Sequence, residues 1–311
     1  MGFMPMNLSE KSLCPRFRNS GKPILLTFFL ATLALSSCEV FNRDEEIPVY
    51  LKINQPTVVI DSAIGLTSQL GIRDIWLTQG ENIQGIYPSP TVIPVMKSAG
   101  NALRLDAGIY ETGQSAYRIP YPFLHPVYFT VDAEAGDTVE LNPVLTYLGD
   151  AEIDIRIDER FENSDINFRP FVISGSDTTN VRKSTEDVFR GSFSGKVRFD
   201  ATHKYWSTIH NSPDPMQIAK NKDVYAEITY KNDIPFTVGL AYKSLSAGEN
   251  GTIPVVTLNP SDEWNTVYVH FVEQIRGLSV PDAAFHLWLS ADGDGETGEI
   301  YLDNIRLIHF Q

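Results

Sequence analysis

Two cysteines among 311 residues, Cys14 and Cys38, are too few for a disulfide-stapled scaffold and for a cysteine-rich zinc or iron–sulfur site. Positive charge is also scarce. With 25 Lys+Arg against 39 Asp+Glu and a formal net charge of −14, the chain lacks the basic surface that neutralises phosphate, so no nucleic-acid partner is expected. The six histidines are scattered and none has metal-ligand spacing. His-Glu-x-x-His, a Walker loop and a dinucleotide fingerprint are missing, and Gly191-Ser-Phe-Ser-Gly195 puts Phe193 where a Gly-x-Ser-x-Gly elbow needs its nucleophile. A glycosidase needs two carboxylates facing each other across a cleft, and a chain this acidic offers such pairs by accident. The chain is therefore read as not an enzyme. What is present is apolar: 42% hydrophobic against 21% charged residues can bury real cores, and the length suits two domains.

The N-terminus carries the three parts of a secretory signal: a basic stretch with Lys11, Arg16, Arg18 and Lys22, the apolar run Ile24–Leu35, then small residues. Twelve residues are too few to cross a bilayer core, which needs about 20. Leu35-Ser36-Ser37-Cys38 is similar to a bacterial lipobox, in which the cysteine thiol is acylated with palmitate-type chains before cleavage on its N-terminal side. That resemblance makes residues 1–37 a lipoprotein signal peptide and Cys38 the lipidation site; the plain alternative is ordinary cleavage with Cys38 left as a free thiol. Each buried CH₂ of an acyl chain contributes about 0.8 kcal/mol to membrane attachment. Loss of the signal removes four basic residues and only Glu10 among acidic ones, so the mature chain is more acidic still and is repelled by anionic head groups. Glu39 and Asp44-Glu45-Glu46, close behind the cysteine in the tether 38–46, resemble the surface-export signal of Bacteroidota lipoproteins. The cluster lies a few residues late, so outer-membrane attachment facing the cell exterior is the favoured localisation and a periplasmic location stays open.

From Ile47 onward, short alternating runs bounded by Gly, Pro, Asn and Asp predict an all-β chain without long helices. In residues 47–147 the runs are Val49–Ile53, Ile72–Leu77, Thr91–Met96, Ala102–Leu105 and Val127–Val131, which suit an immunoglobulin-like β-sandwich. Tyr117, Tyr121 and Phe123 lie in a proline-flanked stretch that suits an extended path packed onto the sandwich or, alternatively, an aromatic ledge. The order Asp74-Ile-Trp76, Thr91-Val-Ile-Pro94, Asp106-Ala-Gly-Ile109 and Tyr121-Pro-Phe123 resembles a recurrent N-terminal domain of poorly characterised Bacteroidota outer-membrane lipoproteins. That resemblance brings no catalytic residues with it.

A second domain is expected over 148–311, with strands at Ser194–Phe199, Val224–Tyr230, Phe236–Tyr242, Thr266–Phe271, Ala284–Ser290 and Glu299–His309, suiting a C-terminal jelly roll. The segment Thr202–Ala219, containing Asn211-Ser-Pro-Asp-Pro215, reads as a loop. Arg160-Phe-Glu-Asn163, Ser194–Phe199, Tyr225–Tyr230, Trp264–Phe271 and Gly298–Leu307 are similar in order to carbohydrate-binding-module-like jelly rolls. The resemblance implies a structural Ca²⁺ shared by Glu162 and Asp303; hydrogen-bonded carboxylates without metal are the alternative. Asp292-Gly-Asp-Gly-Glu-Thr-Gly-Glu299 departs from a calcium loop at Thr297, where glycine is needed, and reads as a polar turn.

Alternation sends Tyr225, Tyr268, His270, His286 and Trp288 away from the core. If their strands share a sheet, these five make an aromatic-polar platform on which sugar rings stack through their C–H faces. The alternative is that they pack under loops or against the first domain. Two functions follow: glycan capture by the jelly roll, or service as an accessory subunit of an outer-membrane protein complex whose interfaces are the sandwich faces.

Overall fold

The computed structural model describes residues 45–61, 66–68, 71–96, 102–171, 179–211, 222–244, 246, 250–280 and 282–311. The signal segment, Cys38 and tether residues 38–44 lie outside the described residues.

The chain is all-β, an immunoglobulin-like sandwich followed by a jelly roll. The first sandwich is built from β1 (Val49–Ile53), β2 (Thr57–Asp61), β3 (Leu66–Ser68), β4 (Asp74–Gln79), β5 (Asn82–Pro88), β6 (Thr91–Val95), β7 (Leu103–Tyr110), β8 (Arg118–Pro120), β9 (Val127–Phe129), β10 (Thr138–Leu141) and β11 (Val144–Thr146). Strand β1 shows why such a run folds as a strand. Val49, Leu51 and Ile53 point into the core while Tyr50 and Lys52 face water, the period-2 alternation that a pleated backbone imposes. It pairs antiparallel with β6 and parallel with β10, whereas β4, β5, β7, β8 and β9 form a separate sheet. Tyr121 and Phe123 of the proline-flanked stretch are buried in this core, and Tyr117 is exposed.

The jelly roll comprises β12 (Ile153–Glu159), β13 (Phe168–Pro170), β14 (Arg182–Ser184), β15 (Ser194–Phe199), β16 (Tyr205–His210), β17 (Val224–Asn232), β18 (Phe236–Ser244), β19 (Asn250–Leu258), β20 (Ser261–His270), the single short helix α1 among the described residues (Val272–Gly277), β21 (Ala283–Asp292) and β22 (Gly298–Phe310). These strands make two facing sheets. One runs β14-β15-β22-β17-β20, with β12 also on β22; we term it the proximal sheet. The distal sheet runs β13-β16-β21-β18-β19. Val224, Ala226 and Ile228 of β17 and Phe285, Leu287 and Leu289 of β21 meet between them in one apolar core. On β22, Asn304 has a positive φ of 46°, and the register with β17 slips there. This bulge changes which residues face inward, so that Ile305 and Leu307 join Ile300 and Leu302 in the core.

Two sequence expectations are corrected. The stretch Thr202–Ala219 contains the strand β16, whose Trp206 is in the core. The five platform residues do not share a sheet: Tyr225, Tyr268 and His270 lie on the proximal sheet, and His286 and Trp288 on the distal one.

Pro48–Gln311 is one compact unit, and the first sandwich packs on the outer face of the proximal sheet. Tyr225, Tyr268 and Ile308 of the jelly roll are part of the same apolar cluster as Ile109, Tyr121 and Phe123. At its centre the Glu227 carboxylate, 0% exposed, accepts hydrogen bonds from the hydroxyls of Tyr121 (2.7 Å) and Tyr147 (2.8 Å) and from Nη1 of Arg306 (3.2 Å). Arg306, itself buried, also reaches Asp158 through Nε at 3.1 Å. Burial, then the Glu227 charge, holds the Tyr121 and Tyr147 phenols well above their usual range, so both stay protonated donors. Removing one member of a buried ion pair leaves the other charge uncompensated, a cost of about 3–5 kcal/mol. Glu227→Ala is therefore expected to lower unfolding free energy by about that amount in urea titration, and Glu227→Gln by less; a change under about 1 kcal/mol for Glu227→Ala would remove the network from its central place.

Candidate functional site

Tyr225 and Tyr268, 2% and 1% exposed, are covered by the first sandwich. Glu111, just past β7, bridges to Tyr268 through the backbone and accepts the Tyr225 hydroxyl at 2.9 Å. His270 stacks on Tyr225 with centroids 4.2 Å apart, its Nδ1 2.8 Å from Glu111 and its Nε2 3.0 Å from Asp223. Their strands alternate as the sequence indicates, but the face they share is occupied by protein, which withdraws the two tyrosine rings from any soluble ligand. The reason is the first sandwich, whose apolar residues need a partner surface as much as the proximal sheet does.

His286 and Trp288 sit on the outer face of the distal sheet, in the middle strand β21. Register places Trp288 between Ile209 of β16 and Gly239 of β18, Ser290 between Ser207 and Thr237, and His286 beside Ala241. The floor beside the indole is thus made of small side chains. Gly239 is required there: a Cβ would lie 2.2 Å from the Ile253 carbonyl oxygen and 3.0 Å from the indole. The Trp288 Nε1–H donates to the Ser207 hydroxyl at 2.9 Å, which fixes the ring, and Ile209, Ala241 and Phe171 pack around it. At 7% exposure the indole offers only a small accessible area. Around it stand half-buried Tyr205 and His286 and exposed Arg169, Lys243 and Thr257. Burial, then the Arg169 charge, pushes His286 below the usual histidine range and favours the neutral ring, which can both donate and accept. Arg169, Ser207 and Gly239 escape the sequence reading. The glycine inside an otherwise apolar strand run was the available signal.

A second arrangement joins Glu162, after β12, to Asp303 of β22. Both are wrapped by the backbone of residues 189–193. Glu162 Oε1 accepts the amides of Ser192 (2.8 Å) and Phe193 (3.0 Å), and Asp303 accepts those of Arg190 and Asn304 at 3.0 and 2.8 Å. Gly191 has φ +82°, and a Cβ there would sit 2.3 Å from Glu162 Oε1, so only glycine allows this wrap. Neither carboxylate has a cationic side chain in ion-pair contact, and no group of three or more His, Cys, Asp or Glu gathers to hold a metal among the described residues. Asp303 is 0% exposed. Burial first, and then the Glu162 charge, pushes its carboxyl up to about 7 against the opposing pull of the backbone amides.

A carboxyl raised from 3.8 to about 7 keeps a proton in the folded state that the unfolded chain has already released. Its contribution to stability is fully present below about pH 4 and is lost as pH rises through 7. The full separation corresponds to on the order of 4 kcal/mol. In chelator, the melting midpoint of Asp303→Asn should gain on that of the native chain steadily between pH 5 and pH 8; parallel pH profiles for the two proteins would contradict the assignment.

No family model and no curated protein matches the chain. Among solved structures, it is similar to the family 11 carbohydrate-binding module from Clostridium thermocellum in complex with a β-1,3-1,4-mixed-linked tetrasaccharide, at 17% identity over 51% of this chain and 96% of that chain, with a TM-score of 0.37. It is also similar to the CBM22-1 xylan-binding domain from Paenibacillus barcinonensis Xyn10C, at 15% identity over 50% of this chain and 94% of that one, with a TM-score of 0.34. A third likeness is to the enzymatically active domain of bacteriophage CBA120 tailspike protein 4, at 13% identity over 48% of this chain and 20% of that chain, with a TM-score of 0.36. These values describe a likeness over about half of this chain and assign it neither a ligand nor a family.

Proposed function

We propose that this chain is a non-catalytic, lipid-anchored saccharide-binding protein of a bacterial cell envelope, whose ligand lies on the outer face of the distal sheet. The observation that carries this reading is the division of labour between the two sheets. The first sandwich covers the proximal sheet, while the distal sheet presents Tyr205, Arg169, His286 and Lys243 in register around an indole set in a floor of Gly239, Ala241 and Ser207. A low floor admits a flat ring, aromatic edges meet its C–H face, and hydroxyl, imidazole, guanidinium and ammonium groups satisfy its hydroxyls. In affinity gels with a panel of plant and microbial polysaccharides, the native chain should be retarded, and Tyr205→Ala and His286→Ala should each lose most of that retardation. Equal mobility of all three proteins with and without every polysaccharide would end the reading.

Attachment to the outer membrane, facing the cell exterior, rests on Leu35-Ser36-Ser37-Cys38 and the acidic residues behind it. Radiolabelled palmitate is expected in the chain produced in a bacterial host and absent from Cys38→Ala; label that persists in the variant would contradict this.

Glu162 and Asp303 fit a hard cation such as Ca²⁺. They are oxygen donors of like charge, close enough for one to raise the other, without a cationic side chain between them. A bound cation would supply the missing charge, while the 189–193 backbone holds the two carboxylates in place. Calcium should then restore the midpoint lost in chelator at pH 8, and an unchanged midpoint would argue against the ion.

A further inference from the structure

A cavity of about 400 Å³ opens where the first sandwich meets the jelly roll. That volume lies within the roughly 300–1,000 Å³ range of small-molecule sites. Its wall is assembled from both halves: Arg73, Tyr110 and Gln114 from the first sandwich, and Tyr230, Asn265 and Tyr268 from the jelly roll. Its lining also takes Val256, Thr257 and Leu258 from β19, the edge strand of the distal sheet, but not Tyr205, His286 or Trp288.

Two features give the cavity a chemistry. First, its lining contains one charged residue, Arg73, and no carboxylate, in a chain whose net charge is −14. Arg73 is exposed and makes no ion pair among the described residues; one of its five N–H donors goes to Asn265 Oδ1 at 3.1 Å. Asn265 is itself held by its Nδ2, which donates to Ser261 Oγ at 2.6 Å, so the guanidinium is positioned with most of its donors uncommitted. Second, the rest of the wall combines aromatic rings, Tyr110 and Tyr230, with hydroxyl and amide groups such as Thr112, Gln114 and Ser261.

A planar guanidinium free of acid partners recognises a carboxylate bidentately. Aromatic faces and neutral amide and hydroxyl groups recognise the C–H face and hydroxyls of a sugar ring. We propose that this junctional cavity is a second saccharide subsite, selective for a sugar unit bearing a carboxylate. The proposal takes its ligand class from the function proposed above and adds that the glycan is acidic. Its defining residue, Arg73, belongs to the first sandwich and not to the distal face.

The test uses the whole chain in titration calorimetry with trigalacturonate and with its carboxyl-reduced, neutral counterpart. Trigalacturonate should bind the native chain at least about tenfold more tightly than it binds Arg73→Gln, with the melting midpoint preserved in the variant. Tyr205→Ala with His286→Ala should leave the Arg73-dependent component intact. Equal affinity of native chain and Arg73→Gln for trigalacturonate, or equal affinity of the native chain for the neutral trimer, would overturn the subsite. Binding lost in the distal-face double variant but retained in Arg73→Gln would overturn the cavity proposal and leave the distal-face reading standing. Arg73-dependent binding of N-acetylphenylalanine in preference to the trimer would also overturn it, in favour of a peptide carboxylate.

Discussion

Glu227 lies on β17 with its carboxylate closed off from water, and an ionised group in that position is tolerated only because two phenols and a guanidinium converge on it. The phenols come from the first sandwich and its exit segment, the guanidinium from β22. Neither half can satisfy the carboxylate alone. The consequence for architecture is that the two sandwiches are joined by a specified junction, with Tyr225, Tyr268 and Ile308 packed into the apolar cluster of the first sandwich. The consequence for the proposed function is that one face of the jelly roll is covered, which is why the ligand is sought on the opposite sheet and at the seam between the halves.

How much of this was legible in the sequence can be judged from three strands. The alternation in β17, β20 and β21 correctly separates Ala226, Val267 and Leu287 from Tyr225, Tyr268 and His286, because a pleated strand enforces its period locally. Which strands lie side by side is a long-range matter, and no local pattern told that β21 belongs to the other sheet. Strand β16 was hidden for a different reason. Its inward residues include Thr208 and His210 as well as Trp206, so its apolar signal is weak, and the neighbouring Pro213 and Pro215 dominate the local reading. His210 is pushed down to about 4 by burial, which is why an imidazole can occupy an inward position uncharged.

The acidic pair illustrates a third case. Resemblance pointed to Glu162 and Asp303, but what makes the pair unusual is the backbone of residues 189–193, whose amides supply donors to both. Backbone donors leave little trace in residue identity, apart from Gly191, which the positive φ demands. The junctional cavity was equally invisible, since its residues are drawn from segments almost 200 positions apart, as the Arg73–Asn265 hydrogen bond shows with a separation of 192.

The parallel pairings of the first sandwich have a kinetic side. Tyr50 aligns with Thr138 and Val58 with Leu145, so β1 and β2 find these partners only after roughly the whole intervening sandwich has closed on itself. Contacts of such large sequence separation belong to the slow end of domain folding rates. Until then β1, paired with β6, and β2, paired with β3, each keep one edge of backbone donors and acceptors unsealed, where pairing with another chain competes with closure.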